Sequence, residues 1–141
     1  DMLLAMTYDQ RGRHSTMQFA KSHIKTTEDT AGFPMNKLCL GVPFYGRDID
    51  SGEAATFADI VKTAGGTVDP EKNVVGNQYY NGCSMLEKKV KLAKKHKLAG
   101  IMVWEVAQDV HPSNPQSLLT CLHSVVTSTS SSETKPTKEE L

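Results

Sequence analysis

The chain has 141 residues, 38% of them hydrophobic and 23% charged, which is the composition of an ordinary soluble globular protein. Sixteen basic residues balance sixteen acidic ones, so the global attraction that draws basic proteins to nucleic acid is missing. No apolar run approaches the roughly 18 residues of a membrane-spanning helix, and the histidines and cysteines form no H-E-x-x-H or C-x-x-C pattern, so neither a metal nor another cofactor is expected. Cys39, Cys83 and Cys121 leave room for one disulfide with its pairing open. The five histidines are expected at the surface or at helix ends.

The sequence starts abruptly at Asp1, as a fragment or a processed product would, and a strand is expected from Leu3 to Tyr8. Ser15, with Gln18 at capping-box spacing, predicts the start of a helix. Met17, Ala20, His23 and Ile24 share one face of it, and it should reach Thr26 or Thr27 before Gly32, Phe33 and Pro34 break it. A second apolar strand begins at Leu38, kept short by Pro43. Such a strand-helix-strand unit makes parallel neighbours. Arg47 to Ala55 reads as a polar loop, Thr56 as the cap of a short helix with Asp59 in its first turn, and Gly65-Gly66 as its end. Val74 to Tyr80 is expected to be irregular and extended.

Ser84 and Glu87 form a second capping box ahead of the helix Met85 to Leu98, where Leu86, Val90 and Ala93 make the apolar stripe. Its six lysines between Lys88 and Lys97 are expected to be solvated on the outer face. Gly100 to Trp104 is an apolar run ending in the single tryptophan, followed by Glu105; it reads as a buried strand that delivers polar groups at its C-terminal end. A last amphipathic helix runs from Ser117 to about Val126. Residues 127–141 form a Ser/Thr-rich tail expected to be disordered, because it has too little apolar surface to offset ordering. Three strand-helix units are too few to close a barrel, which argues for a piece of a larger α/β fold.

Three strand ends carry a family resemblance: M-x-Y-D at Met6, Tyr8 and Asp9, G-x-P-F-Y-G-R at Gly41 to Arg47, and M-x-W-E-x-x-x-D from Met102 to Asp109. They resemble strands six, seven and eight of the family 18 glycoside hydrolases, the chitinases and their relatives. Thr56 to Ile60, Tyr79 to Gly82 and Ser117 to Leu119 are also similar to that family, so the resemblance covers residues 1–126. It implies the last three units of a TIM (β/α)8 barrel, with the remaining strands as their partners. It also implies cleavage of β-1,4 bonds beside N-acetylglucosamine, in chitin or related glycans, with the substrate's own acetamido oxygen as nucleophile.

On that resemblance, Trp104 is the platform beneath the sugar, the alternative being a tryptophan that fills the core. Tyr8 donates to the acetamido group and Asp9 hydrogen-bonds the sugar or its acetamido nitrogen; the alternative is a strand-end tyrosine beside a helix-capping aspartate. Met6 lines the floor of the same pocket or simply packs in the core. Tyr45 and Arg47 line the groove, although an arginine just past a strand is as often tied to a carboxylate. Glu105 and Asp109 follow the pattern without being expected as the acid.

The family's D-x-x-D-x-D-x-E signature, which ends in the proton donor, does not occur in the sequence. Asp48, Asp50 and Glu53 come nearest, with the glutamate one position too far, a slip that reverses the face of a strand. The chain alone is therefore expected to be inert, either as the sugar-binding part of a hydrolase or as part of a non-catalytic chitinase-like lectin. Lys138 to Leu141 (KEEL) resembles the K-D-E-L retrieval signal, so the secretory pathway is the expected location, with the endoplasmic reticulum lumen as the one reading and the extracellular space as the other.

Overall fold

A computed structural model describes residues 1–30 and 32–130. Strand β1 (Leu3–Ala5) is followed by helix α1 (Met17–Glu28), then β2 (Leu38–Pro43), and two short antiparallel strands, β3 (Tyr45–Asp48) and β4 (Ala54–Thr56). Helix α2 (Phe57–Thr63), strands β5 (Val74–Val75) and β6 (Gln78–Tyr79), helix α3 (Cys83–Lys95), strand β7 (Gly100–Trp104) and helix α4 (Leu118–Ser130) follow within the described residues.

The three apolar strands form one parallel sheet in the order β1-β2-β7, with Ala5 beside Leu40, Leu40 beside Ile101 and Pro43 beside Trp104. All three therefore end on the same edge, where α/β folds place their ligand sites. Every residue of the central strand β2 is buried. The flanking strands are not: Leu3 and Leu4 are exposed, and β7 is only half-buried rather than the buried strand its composition suggests, because each has a neighbour on one side only. β1 also stops at Ala5, where Thr7 N–H turns back to the Ala5 carbonyl, short of the expected Tyr8.

Between β2 and α3 the structure departs from expectation. Residues 47–55 are not simply a loop, and residues 74–80 are not irregular: they supply strands of a four-stranded antiparallel sheet, β4-β3-β6-β5. Thr56 caps α2 as expected, accepting from Asp59 N–H and donating to the Asp59 carboxylate, and Gly65 and Gly66 close the helix at positive φ. The main core joins Val42 and Phe44 to Phe57, Ile60, Tyr80, Leu86, Val90, Leu118 and Leu122; a smaller one packs Ala20 and Ile24 of α1 against Leu40 and Leu92.

Two expected caps move. Thr16, not Ser15, caps α1, because the Ser15 hydroxyl is committed to the Thr7 carbonyl. Gly82 precedes α3 without a side-chain cap; Ser84 donates to Glu71 and Glu87 pairs with Lys91. A Cys83–Cys121 disulfide ties the start of α3 to α4, and Cys39 is free and buried. α4 continues past Val126 to Ser130; the rest of the Ser/Thr-rich tail and the KEEL terminus lie outside the described residues. Among the described residues, no helix is long and apolar enough to cross a membrane.

Candidate functional site

Three of the singled-out residues meet directly just past the sheet edge. Asp9 follows β1 in a left-handed conformation, φ 69°, which turns the chain sharply out of the strand. Its Oδ1 accepts from the Tyr45 hydroxyl at 2.5 Å and from Arg47 Nε at 2.7 Å. Arg47 also donates to the Gly52 carbonyl at 2.8 Å, so its guanidinium is held from two sides. Burial works to raise the Asp9 carboxyl, but the hydrogen bonds from Arg47 and Tyr45 and the charge of Arg47 outweigh it and hold the group below the usual carboxylate range. Burial, and then Asp9, push the Tyr45 hydroxyl well above its ordinary value, so it stays a donor. The Asp9 side chain remains 45% exposed. The cluster is thus an ionised, fixed acceptor that solvent or a solute can reach.

Tyr8 is buried beside it, its ring 6.2 Å from that of Tyr45 and edge-on, with its hydroxyl 3.9 Å from the Met102 sulfur on β7. Burial and the Asp9 charge raise its hydroxyl too. Trp104 and Met6 do not join this cluster by any polar contact; they stand exposed at 53% and 66%. Within the described residues neither side chain is buried. The Trp104–Glu105 peptide bond is cis, and the Trp104 carbonyl accepts from Phe44 N–H. Asp109 accepts from Leu118 and Leu119 N–H and from the Ser117 hydroxyl, so its carboxylate satisfies the first turn of α4, while Ser117 accepts from Thr120 N–H. Glu105 Oε1 accepts from Gln108 Nε2 at 3.3 Å.

The structure adds a buried polar layer that the sequence did not announce. His14, expected at the surface or at a helix end, is fully buried: its Nδ1 accepts from Asp9 N–H at 3.5 Å and its ring lies 5.1 Å from that of Tyr45. Burial depresses its pKa to about 4 against the opposing pull of Asp9, so the imidazole is neutral near pH 7. Lys89 is likewise fully buried, not solvated with the other lysines of α3. One signal could have found it: Leu86, Lys89, Val90 and Ala93 fall on a single helical stripe. A groove of about 380 Å³ opens beside the cluster, flanked by Asp9, Arg11, Arg47 and Asp50.

Parallel strands whose aromatic and charged residues converge at their C-terminal ends define an α/β chain of the kind that places its ligand site at that edge. The chain belongs to the glycosyl hydrolases family 18, whose model matches residues 1–109. Among solved structures it is similar to the family 18 chitinase from the chitin utilization locus of Flavobacterium johnsoniae, at 34% identity and a TM-score of 0.78, covering 92% of this chain and 43% of that one. A chitinase from Bacteroides thetaiotaomicron follows at 24% identity and a TM-score of 0.77, over 89% and 45% of the two chains. A plant class V chitinase mutant from Cycas revoluta, solved in complex with (GlcNAc)3, matches at 23% identity and a TM-score of 0.71, over 89% and 46%. The chain thus spans less than half the length of these chitinases. No curated protein sequence matches it.

Proposed function

We propose that this chain supplies the sugar-gripping face of a glycoside hydrolase that cleaves β-1,4 bonds beside N-acetylglucosamine, in chitin or a related glycan. The observation that carries this is the fixed Asp9–Tyr45–Arg47 cluster beside Tyr8 at the sheet edge on which exposed Trp104 also ends. In a substrate-assisted reaction the acetamido oxygen attacks the anomeric carbon, so positive charge develops on the acetamido nitrogen. An ionised Asp9 accepts from that N–H and stabilises the charge, while Tyr8, held protonated, donates to the acetamido oxygen. Trp104 offers the apolar plane on which a neutral sugar ring stacks, and Met6 lines the floor of the same pocket. Tyr45 and Arg47 orient Asp9 and border the groove beside it.

The proton donor belongs to strands outside this sequence, so the chain alone binds and does not cleave. Retention in the secretory pathway through the KEEL terminus is part of the same proposal. The test is hydrolysis of N-acetylglucosamine oligomers by the protein joined to the remaining barrel strands, with Asp9→Asn and Tyr8→Phe variants. An oxyanion-hole-sized loss of about 10²–10³ in kcat is expected for Asp9→Asn. Binding without any turnover in the unmutated barrel would instead indicate a chitinase-like lectin, and unchanged kinetics in both variants would remove Asp9 and Tyr8 from the mechanism.

A further inference from the structure

Among the described residues Lys89 has no carboxylate as a partner, and it is wholly removed from water. Its ammonium donates to the Ser15 hydroxyl at 2.7 Å, the Ser15 carbonyl at 3.1 Å and Asn81 Oδ1 at 2.6 Å. Three acceptors use all three protons of a charged amine, whereas a neutral amine carries only two. An unpaired buried charge is costly, and burial accordingly pulls this lysine down to about 7. A lysine kept in so unfavourable a place, where methionine or leucine would pack, points to a positional role.

Its contacts lead to the site. The Ser15 hydroxyl that accepts from Lys89 donates onward to the Thr7 carbonyl at 2.7 Å, and Thr7 Oγ1 donates to the Gly41 carbonyl at 2.6 Å. Asn81 Nδ2 holds the Ser15 carbonyl from another direction at 2.9 Å. Thr7 immediately precedes Tyr8 and Asp9, and the turn from Asp9 to Ser15 is closed by Gln10 N–H to the His14 carbonyl and by Asp9 N–H to His14 Nδ1. The other titratable groups around this layer are His14 and Tyr79, whose hydroxyl reaches the Ser15 carbonyl at 3.4 Å; Asp9 and Arg47 act on His14, and Arg13 lies over the Tyr79 ring.

We infer that Lys89 is a positioning residue: through Ser15 it clamps the Thr7 carbonyl and so sets where Tyr8 and Asp9 leave β1, while touching neither of them. The importance of that placement for sugar binding rests on the function proposed above; the clamp itself does not. The test compares the protein with its Lys89→Met and Lys89→Arg variants by NMR, following the amides of Thr7, Tyr8, Asp9 and Ser15 and the Asp9 carboxyl carbon, with a thermal melt on each sample. Affinity for the N-acetylglucosamine trimer is measured on the same samples.

In Lys89→Met these signals should move together and trimer affinity should fall tenfold or more, with Lys89→Arg restoring part of both. A folded Lys89→Met protein with unmoved Asp9 and Ser15 signals would overturn the inference. Should Lys89→Met not fold, Ser15→Ala, which removes only the relaying hydroxyl, decides in the same way: shifted Tyr8 and Asp9 amides support the clamp, and unshifted ones refute it. Failure of the unmutated protein to bind the trimer would count against the sugar site alone, since the NMR shifts decide the clamp without ligand.

Discussion

Replacing Gly41 by alanine probes the sheet edge at its tightest point. Gly41 pairs with Met102 across β2 and β7, and its carbonyl receives the Thr7 hydroxyl. A methyl group there would fall inside van der Waals contact of the Ala5 carbonyl oxygen, 2.9 Å from Tyr8 Cε1 and 3.2 Å from Met102 Cε. The methionine end can swing aside, but the Ala5 carbonyl and the Tyr8 ring can yield only if β1 shifts. Overpacking of this kind costs about 1–3 kcal/mol. At roughly 4 °C per kcal/mol for a chain of this size, Tm should drop on the order of 4–12 °C. Circular dichroism melts measure the drop, and the Tyr8 ring signals in NMR report the shift of β1. Gly100→Ala is the control, since nothing lies within 4 Å of its added methyl, and it should be nearly neutral. A Gly41→Ala protein with Tm within about 1 °C of the parent and an unmoved Tyr8 ring would refute the packing described for this edge.

Other perturbations separate the remaining forces. Serine at Cys83 or Cys121 opens a cross-link spanning 38 residues, which chain entropy values at about 4 kcal/mol, measurable as a fall in denaturant midpoint relative to the oxidised protein. His14 is buried neutral with a pKa of about 4, so on acidification the unfolded chain takes up its proton first, near pH 6.5. Its contribution is therefore complete above about pH 6.5 and is lost progressively toward pH 4, by on the order of 3 kcal/mol. The depressed Asp9 carboxyl adds a loss in the same direction as pH falls through its folded value. Denaturant unfolding at several pH values should show that slope, and His14→Gln should flatten it.

The three strand ends were legible because each is an apolar run that stops at a tyrosine or tryptophan and a charged side chain, a pattern that survives without neighbours. The antiparallel sheet was not: β5 and β6 have two residues each and β4 three, too short for any alternation to register. Ser15 and Thr16 both satisfy the capping rule, and only the third-dimensional demand of Lys89 and the Thr7 carbonyl assigns the cap to Thr16. Lys89 was hidden among lysines whose bland role is solvation, although its place on the Leu86–Val90–Ala93 stripe marked it as inward. Three cysteines allow three pairings, and choosing Cys83–Cys121 needs the packing of α3 against α4. In the site, the link of Asp9 to both Tyr45 and Arg47 joins residues 36 and 38 positions apart, a distance no local pattern spans.

Trp104 is the single tryptophan of the sequence, so its fluorescence reports on this strand end alone. Titration with N-acetylglucosamine trimer, alongside a cellulose trimer that lacks the acetamido groups, tests most directly whether this edge grips the acetamido sugar. The expected result is a saturable change with the first ligand, at least tenfold weaker with the second, and lost binding of the first in Asp9→Ala. Equal responses to the two sugars, or none to either, would contradict it.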